Sequence, residues 1–194
     1  MKTNREYRLF NSFEVRAKED EETEEKWVEG YAARYDSPTV LWEYDGVEYK
    51  EQIVQGAFDG SDMSDVIFQY DHHGKVMART RNKTLELKLD TNGLFVRARL
   101  DGTEEGRKMY EEIRGGYVDK MSFGFTVKED SYDAEDHMRN IRKIKKLYDC
   151  SAVGVPAYDS TSISARSYFE SQQEELKRQE SEKRRKKLAL MASL

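Results

Sequence analysis

Apolar and polar residues alternate along much of the chain with the period of two that is typical of β-strands. Segments of this kind, rich in aromatic and β-branched residues, cover residues 6–17, 27–36, 40–53, 65–80, 83–102, 119–130 and 141–159. Asp45-Gly46 and Asn92-Gly93 interrupt two of them, and such dipeptides favour tight hairpin turns. Together the segments predict about eight strands.

One clear helical pattern occupies residues 102–116. Thr103 is suited to the N-cap, acidic residues fill the first turn, and Gly115-Gly116 ends the pattern. Polar stretches at 18–26 and 131–140 predict loops. About eight strands with one or two helices predict a mainly β (α+β) fold, in which a closed β-barrel or strongly bent sheet is surrounded by helices.

The composition changes near residue 166. The chain has 194 residues, enough for one domain with a substantial core. From about Arg166 onwards, Glu, Gln, Lys and Arg predominate. We therefore predict a compact domain at residues 1–166 and a charged tail at residues 167–194 that is helix-prone or disordered.

Charge and composition exclude several classes of function. The formal net charge is -5 and the sequence pI about 5.4, which argues against general nucleic-acid binding. No apolar run approaches the roughly 18 residues of a membrane span, and the first residues lack the apolar core of a signal peptide. The single cysteine, Cys150, cannot form an internal disulfide and is typical of a small buried residue in an intracellular protein.

The strand DKMSFGFTVKED carries the first candidate for chemistry. Its alternation places Met121, Phe123 and Phe125 on one face and Ser122 and Gly124 on the other. A glycine within a strand marks a close approach, here of another chain, such as a substrate strand, or of a reacting carbonyl. Ser122 is a candidate nucleophile if a base reaches its hydroxyl. Otherwise it is a small polar residue on a solvent face.

His72 is the candidate base, at the end of an apolar segment. Imidazole ionises near neutral pH and can therefore accept a proton and return it. The alternative is a polar residue at a strand end that faces water. His73 should point to the opposite side of an extended chain.

A metal site is a further option for the polar residues. Its possible ligands are Asp71, His72, His73, His137 and Cys150. No pair among them has a recognised zinc spacing, and adjacent histidines diverge. We therefore expect neither a metal nor a cofactor.

The segment KKLYDCSAVGVP contains the candidate for a third catalytic group. By period two, Leu147, Asp149, Ser151 and Val153 share a face. A carboxylate among apolar residues is costly unless it is paired, so Asp149 is a candidate to orient the base. The alternative is a partly wet face on which Asp149 bonds local backbone. Ser151 is either a rival nucleophile or a hydrogen-bond support.

Six blocks in order carry a family resemblance: EGYAARYDS, EQIVQGAFD, YDHHGKVMART, TLELKLDTNGLFVRARL, GGYVDKMSFGFTV and LYDCSAVGVPAYDSTSISAR. Together they resemble the prohead proteases of tailed bacteriophages of the HK97 type. The resemblance extends from about Tyr7 to Arg166. Each block alone is weakly specific, whereas the ordered set is strongly specific.

The resemblance implies a serine endopeptidase with the fold of the related herpesvirus proteases, a β-barrel surrounded by helices. The family's catalytic histidine precedes an ART segment and corresponds to His72, and its serine, in a MSFGF-like motif, corresponds to Ser122. Its third member is usually glutamate and corresponds to Asp149, which is one methylene shorter. His73 stands where relatives often carry an acid. Backbone amides of residues 154–158 are the expected oxyanion hole.

The resemblance also implies the setting of the reaction. The expected substrates are the scaffold protein or the scaffold segment of the major capsid protein, and the protease itself, inside immature proheads in the bacterial cytoplasm. Related viral proteases suggest a homodimer. The tail could dock the enzyme in the assembling shell, and its LALMASL segment could hold a self-cleavage site.

Two alternatives to a serine protease remain open. A catalytically silent barrel that only binds scaffold should lack the serine or the histidine, and both are present. A metal-dependent hydrolase should be sensitive to chelators and indifferent to the change Ser122→Ala.

Overall fold

A computed structural model describes residues 5–9, 16–19, 25–154 and 158–192. These residues form two β-sheets and two helices. The strands are β1 (Glu6–Leu9), β2 (Arg16–Glu19), β3 (Lys26–Arg34), β4 (Thr39–Tyr44), β5 (Val47–Ile53), β6 (Ile67–Tyr70), β7 (His73–Arg79), β8 (Leu85–Leu89), β9 (Gly93–Arg99), β10 (Lys120–Asp133) and β11 (Met138–Val153). The helices are α1 (Glu104–Arg114) and α2 (Tyr158–Ala192), and a short 3₁₀ turn covers Thr80–Asn82.

The larger sheet is organised around the long antiparallel hairpin of β10 and β11. β1 pairs antiparallel with the beginning of β10, and β6, which forms a hairpin with β7, pairs parallel with the end of β11. The beginning of β11 instead pairs parallel with β5, which continues to β4. β11 therefore changes its partner along its length, and its final residues lie between β10 and β6.

The smaller sheet has the order β2-β3-β9-β8 and is antiparallel throughout. Apolar side chains from both sheets and from α1 form one buried cluster, which includes Val28 and Val96 of the smaller sheet, Phe68 and Phe123 of the larger sheet, and Met109 of α1. This core fixes the two sheets and α1 relative to one another, because close-packed interiors transmit displacement rather than absorb it.

The expected β-barrel is not found among the described strands, although the mainly β class with helices is confirmed. The strands pair into two separate sheets, and the edges of the smaller sheet, β2 and β8, pair with no described strand of the larger one. A barrel requires continuous pairing around a closed ring. Here β11 instead pairs with β5 at its beginning and with β6 at its end, so the larger sheet branches into two parts, β5-β4 and β6-β7.

Most predicted elements are present. The turns at Asp45-Gly46 and Asn92-Gly93 join β4 to β5 and β8 to β9. The Thr103 hydroxyl caps α1 by accepting a hydrogen bond from the Gly106 amide at 2.9 Å. The loop predicted at residues 131–140 is wrong, because β10 continues to Asp133 and β11 begins at Met138.

Helix α2 crosses the predicted boundary between domain and tail without interruption. Phe169 has no exposed surface and packs against Tyr49 and Tyr132, with ring centroids 5.2 and 5.8 Å apart. Residues 176–188 are exposed. Helix α2 therefore contacts the rest of the fold through residues that follow residue 166. The domain boundary at residue 166 stays a prediction. None of the described helices is long and apolar enough to cross a membrane.

Candidate active site

His72 lies in a two-residue turn between β6 and β7. Tyr70 pairs with His73, and the residues between them, Asp71 and His72, have φ angles of 45° and 60°, both in the left-handed region. Two successive residues with positive φ form the hairpin turn that suits the twist of the flanking strands. Asp and His adopt this backbone more readily than most residues other than glycine. From this turn the His72 ring reaches side chains of β1, β10 and β11.

The structure brings together the three residues that the sequence predicted. His72 Nε2 lies 2.7 Å from the Ser122 hydroxyl, and His72 Nδ1 contacts Asp149 Oδ2. Ser122 lies on β10 and Asp149 on β11, where Ser122 is opposite Ser151 and Gly124 is opposite Asp149. A hydroxyl, an imidazole and a carboxylate that are hydrogen-bonded in this order form the arrangement that activates a serine nucleophile.

A β-bulge determines which way Asp149 faces. Leu147 is opposite Phe125, while Asp149 is opposite the preceding residue, Gly124, so Tyr148 is the extra residue of the bulge. Leu147 therefore joins Phe125 in the core, whereas Asp149 turns to the face of Ser122. The prediction that Leu147 and Asp149 share a face is wrong, because the bulge shifts the alternation by one residue.

Asp149 has no exposed surface, and its charge is held by three side chains. Besides His72, the Ser151 hydroxyl donates a hydrogen bond to Oδ2 at 2.8 Å, and Arg5 forms an ion pair with Oδ1. Burial raises the pKa of Asp149, but the hydrogen bonds from His72 and Ser151 and the charges of His72 and Arg5 outweigh it, so its pKa lies below the ordinary value. Asp149 is therefore ionised at neutral pH.

Gly124 makes room for the carboxylate. A Cβ atom at this position would lie 2.2 Å from Asp149 Oδ1 and 2.9 Å from Arg5 Nε. The close approach that the sequence predicted thus exists, but its occupant is Asp149 and not a substrate strand.

Strand β1 and the residue before it, Arg5, contact Ser122, His72 and Asp149, which the sequence did not predict. The Arg8 carbonyl accepts a hydrogen bond from the Ser122 hydroxyl at 3.0 Å. The Tyr7 ring lies against the His72 ring, with centroids 4.3 Å apart, and Arg5 pairs with Asp149. Nothing in the local pattern of residues 5–9 signals this position, because every contact joins parts of the chain far apart in sequence.

The remaining candidates lie outside this arrangement. Ser151 has no exposed surface and supports Asp149, which fits the hydrogen-bond role better than that of a rival nucleophile. His73 is exposed, and His137 lies beside Tyr132 with Nδ1 3.1 Å from the phenol oxygen. Cys150 is in the core, where burial raises the pKa of its thiol. The described residues include no group of three or more His, Cys, Asp and Glu side chains that could hold a metal ion.

The expected oxyanion hole lies mostly outside the described residues, since residues 155–157 are not among them. Gly154 is described, and a Cβ atom added at this position would lie 3.0 Å from the Tyr70 hydroxyl oxygen.

Comparison with known proteins identifies the family. The sequence model of the caudovirus prohead serine protease family matches residues 11–178. Because this match spans most of the chain, the chain belongs to that family. No curated protein matches it.

A solved structure is similar in fold. It is described as the structure of the bacteriophage T4 capsid assembly protease, gp21, and its match has a TM-score of 0.50. The two chains are 11% identical, and the match covers 79% of this chain and 99% of that one. At this level of identity the likeness concerns the fold alone.

Proposed function

We propose that this chain is a serine endopeptidase in which Ser122 is the nucleophile, His72 the general base and Asp149 the group that orients His72. The observation that carries the proposal is the hydrogen-bonded series from Ser122 through His72 to the buried, ionised Asp149. Membership of a serine protease family supports the same assignment.

The proposed reaction has two halves. His72 Nε2 takes the proton of Ser122 as the hydroxyl oxygen attacks the scissile carbonyl, and it then returns that proton to the leaving amine. Asp149 holds His72 with Nε2 directed at the serine and stabilises the protonated ring. Water, activated by the same histidine, then hydrolyses the acyl-enzyme.

The tetrahedral intermediate needs hydrogen-bond donors for its oxyanion. Such donors typically contribute about 100- to 1,000-fold in rate. Backbone amides of residues 154–158, which follow directly after β11, stay our prediction for this site.

The proposed substrates are the scaffold segment of the major capsid protein and the protease itself. The family is one of prohead proteases, and the similar solved structure is that of a capsid assembly protease, so a capsid protein is the natural partner. We place the reaction inside immature proheads in the bacterial host. An assembled shell raises the local concentration of cleavage sites, so weak affinity for each site suffices.

Residues 176–194 are proposed to bring the enzyme into the assembling shell. This segment contains seven basic and two acidic side chains, whereas the whole chain is acidic. Its described side chains are exposed and thus available to a partner.

Co-expression with a capsid protein tests the proposal. The capsid protein encoded beside this chain would be produced with wild-type protease, with Ser122→Ala or with Ser151→Ala, and the products measured by intact mass spectrometry. We expect the same fragments with wild type and, at a reduced rate, with Ser151→Ala, and none with Ser122→Ala. Identical fragments with Ser122→Ala would place the nucleophile elsewhere. Intact capsid protein in all three would favour the silent binding protein.

A further inference from the structure

The nucleophile is covered in this structure by the chain's own N-terminal strand. Ser122 is only 4% exposed, Asp149 is fully buried, and the His72 side chain is 8% exposed. A protease must admit a peptide carbonyl to within bonding distance of its serine oxygen. With β1 in place, the peptide carbonyl that contacts this oxygen is that of Arg8.

The contacts of β1 also oppose the chemistry. The Ser122 hydroxyl has one proton, and in donating it to the Arg8 carbonyl it cannot donate it to His72. Arg5 pairs with Asp149 and offsets the negative charge that would stabilise a protonated His72. Contacts that oppose both Ser122 and Asp149 are not expected of a strand that is a permanent part of a working active site.

The geometry of β1 is that of a bound peptide. It is extended, runs antiparallel to β10, and places Leu9 opposite Ser122 and Tyr7 opposite Gly124. Peptides commonly bind proteins by adding a strand to a sheet edge in this way, with backbone bonds giving affinity and side-chain pockets giving specificity.

Arg8, whose carbonyl contacts the reactive hydroxyl, directs its side chain to the other face of the sheet, into a buried, charged pocket. Arg8 is 1% exposed and donates hydrogen bonds to Glu51, from Nε at 2.6 Å and from Nη2 at 3.0 Å. Outside β1, the described charged groups of this network are Glu51, Arg139 and Asp130, and Arg139 donates hydrogen bonds to Glu51 at 2.9 Å and to Asp130 at 2.6 Å. Two carboxylates and one guanidinium leave an excess of negative charge, so the pocket favours a cationic side chain.

We propose that β1 fills the peptide-binding site of the enzyme, and that a substrate segment replaces it as an antiparallel strand on β10, with an arginine or lysine directed at Glu51. This rests on the proposed function of Ser122. The N-terminal strand is thus both a reversible block and a copy of the substrate class that the site accepts.

Labelling of Ser122 by a small fluorophosphonate, followed by intact mass spectrometry of the full chain, reports access to the hydroxyl. Arg8→Gln removes the charge that anchors β1 and should make labelling several-fold faster than in wild type. Arg79→Gln is the matched control, since it removes a two-bond ion pair with Asp65 outside β1 and should leave the rate unchanged. Labelling that is equal in wild type and Arg8→Gln, or slower in Arg8→Gln, would overturn the inference.

A peptide added to the Arg8→Gln protein tests the specificity. The pentapeptide Arg-Glu-Tyr-Arg-Leu, which copies residues 5–9, should slow the labelling again. The same peptide with glutamine at its fourth position should slow it much less. Equal effects of the two peptides would remove the assignment of Glu51 as the group that selects a basic residue.

A disulfide gives the opposite test within one protein, in case Arg8→Gln fails to fold. Glu6 and Phe125 are directly opposite in the ladder, so Glu6→Cys with Phe125→Cys can be oxidised to fix β1 on β10. We expect no labelling when oxidised and labelling after reduction. Equal labelling in both states would show that β1 stays in place when Ser122 reacts. If labelling of the wild-type protein does not depend on His72, the result counts against the proposed function itself.

Discussion

Asp149 shows how much of the site depends on a single buried charge. His72, Ser151 and Arg5 all bind its carboxylate, and together they keep it ionised despite complete burial. Changing Asp149→Asn should keep the size of the side chain and lower kcat by about 10⁴-fold, because the amide no longer favours the productive tautomer of His72. Initial rates of capsid-protein cleavage measure the effect. A loss of less than about tenfold would mean that another group orients His72.

The same residue predicts a change of stability with pH. Because folding lowers the pKa of Asp149, its ionisation stabilises the folded state above its unfolded pKa of about 3.9, and this contribution is lost as the pH falls through the lower, folded value. The difference in unfolding free energy between wild type and Asp149→Asn should therefore be constant near neutral pH and narrow below about pH 4. Urea titrations of both proteins at several pH values test this. If the difference in unfolding free energy instead grows below about pH 4, folding raises the pKa of Asp149 and the predicted direction is wrong.

Gly124 predicts a loss of activity without loss of fold. An added methyl group would lie 2.2 Å from Asp149 Oδ1, so Gly124→Ala must displace the carboxylate from His72. A displacement of this size costs about 100-fold in rate. Gly102→Ala is the control, because nothing lies within 4 Å of an added Cβ there. Similar cleavage rates for the two variants, each shown to be folded by circular dichroism, would contradict the role given to Gly124.

At the residue scale, the sequence was enough to propose Ser122, His72 and Asp149 as the site but not to predict their surroundings. Ser122, His72 and Asp149 were predicted because they stand in motifs that resemble those of a family. Arg5 was not, since it lies 144 residues from Asp149 and its segment has no local signature. A charged side chain near the N-terminus is ordinarily solvated, and only the pairing of β1 with β10 brings this one to the site.

At the scale of elements, turn chemistry explains which strands were predicted correctly. Asp45-Gly46 and Asn92-Gly93 are standard hairpin dipeptides, and both turns form. The turn at Asp71 and His72 has no glycine in its two central positions, so sequence did not separate β6 from β7. Likewise the bulge at Tyr148 adds one residue to an otherwise regular alternation, which no pattern of apolar residues reveals.

The docking of α2 gives a prediction at this scale. Phe169 is its fully buried aromatic anchor, in contact with Tyr49 and Tyr132. Changing Phe169→Ala should lower the free energy of unfolding by about 3 kcal/mol, the usual cost of emptying a buried aromatic site. Leu188→Ala is the control on the same helix, since Leu188 is 58% exposed and should change stability by less than about 0.5 kcal/mol. Equal effects in urea unfolding would mean that α2 is not held through Phe169.

At the scale of the whole molecule, the candidate site depends on three strands that meet only in the folded sheet. β10 supplies Ser122, β11 supplies Asp149, and the turn after β6 supplies His72, with β11 between the other two strands. The sequence predicted a barrel because the number of strands is compatible with one. It could not reveal that β11 pairs with β5 at one end and with β6 at the other, since parallel pairing between distant strands leaves no local pattern.

The exposed end of α2 predicts that catalysis and recruitment are separable. Removing residues 176–194 deletes no described buried side chain, so the truncated enzyme should fold and cleave added capsid protein at the wild-type rate. The deleted segment carries seven basic side chains, which favour an acidic partner surface and a docking that weakens with salt. The amount of protease in purified proheads, measured against capsid protein by quantitative mass spectrometry, should therefore fall in the truncated form. Replacing its five basic residues at positions 183–187 by glutamine keeps the length and should have the same effect. Normal incorporation of both variants would assign recruitment to the folded domain, whereas loss of cleavage of added capsid protein would show that the end of α2 takes part in the reaction itself.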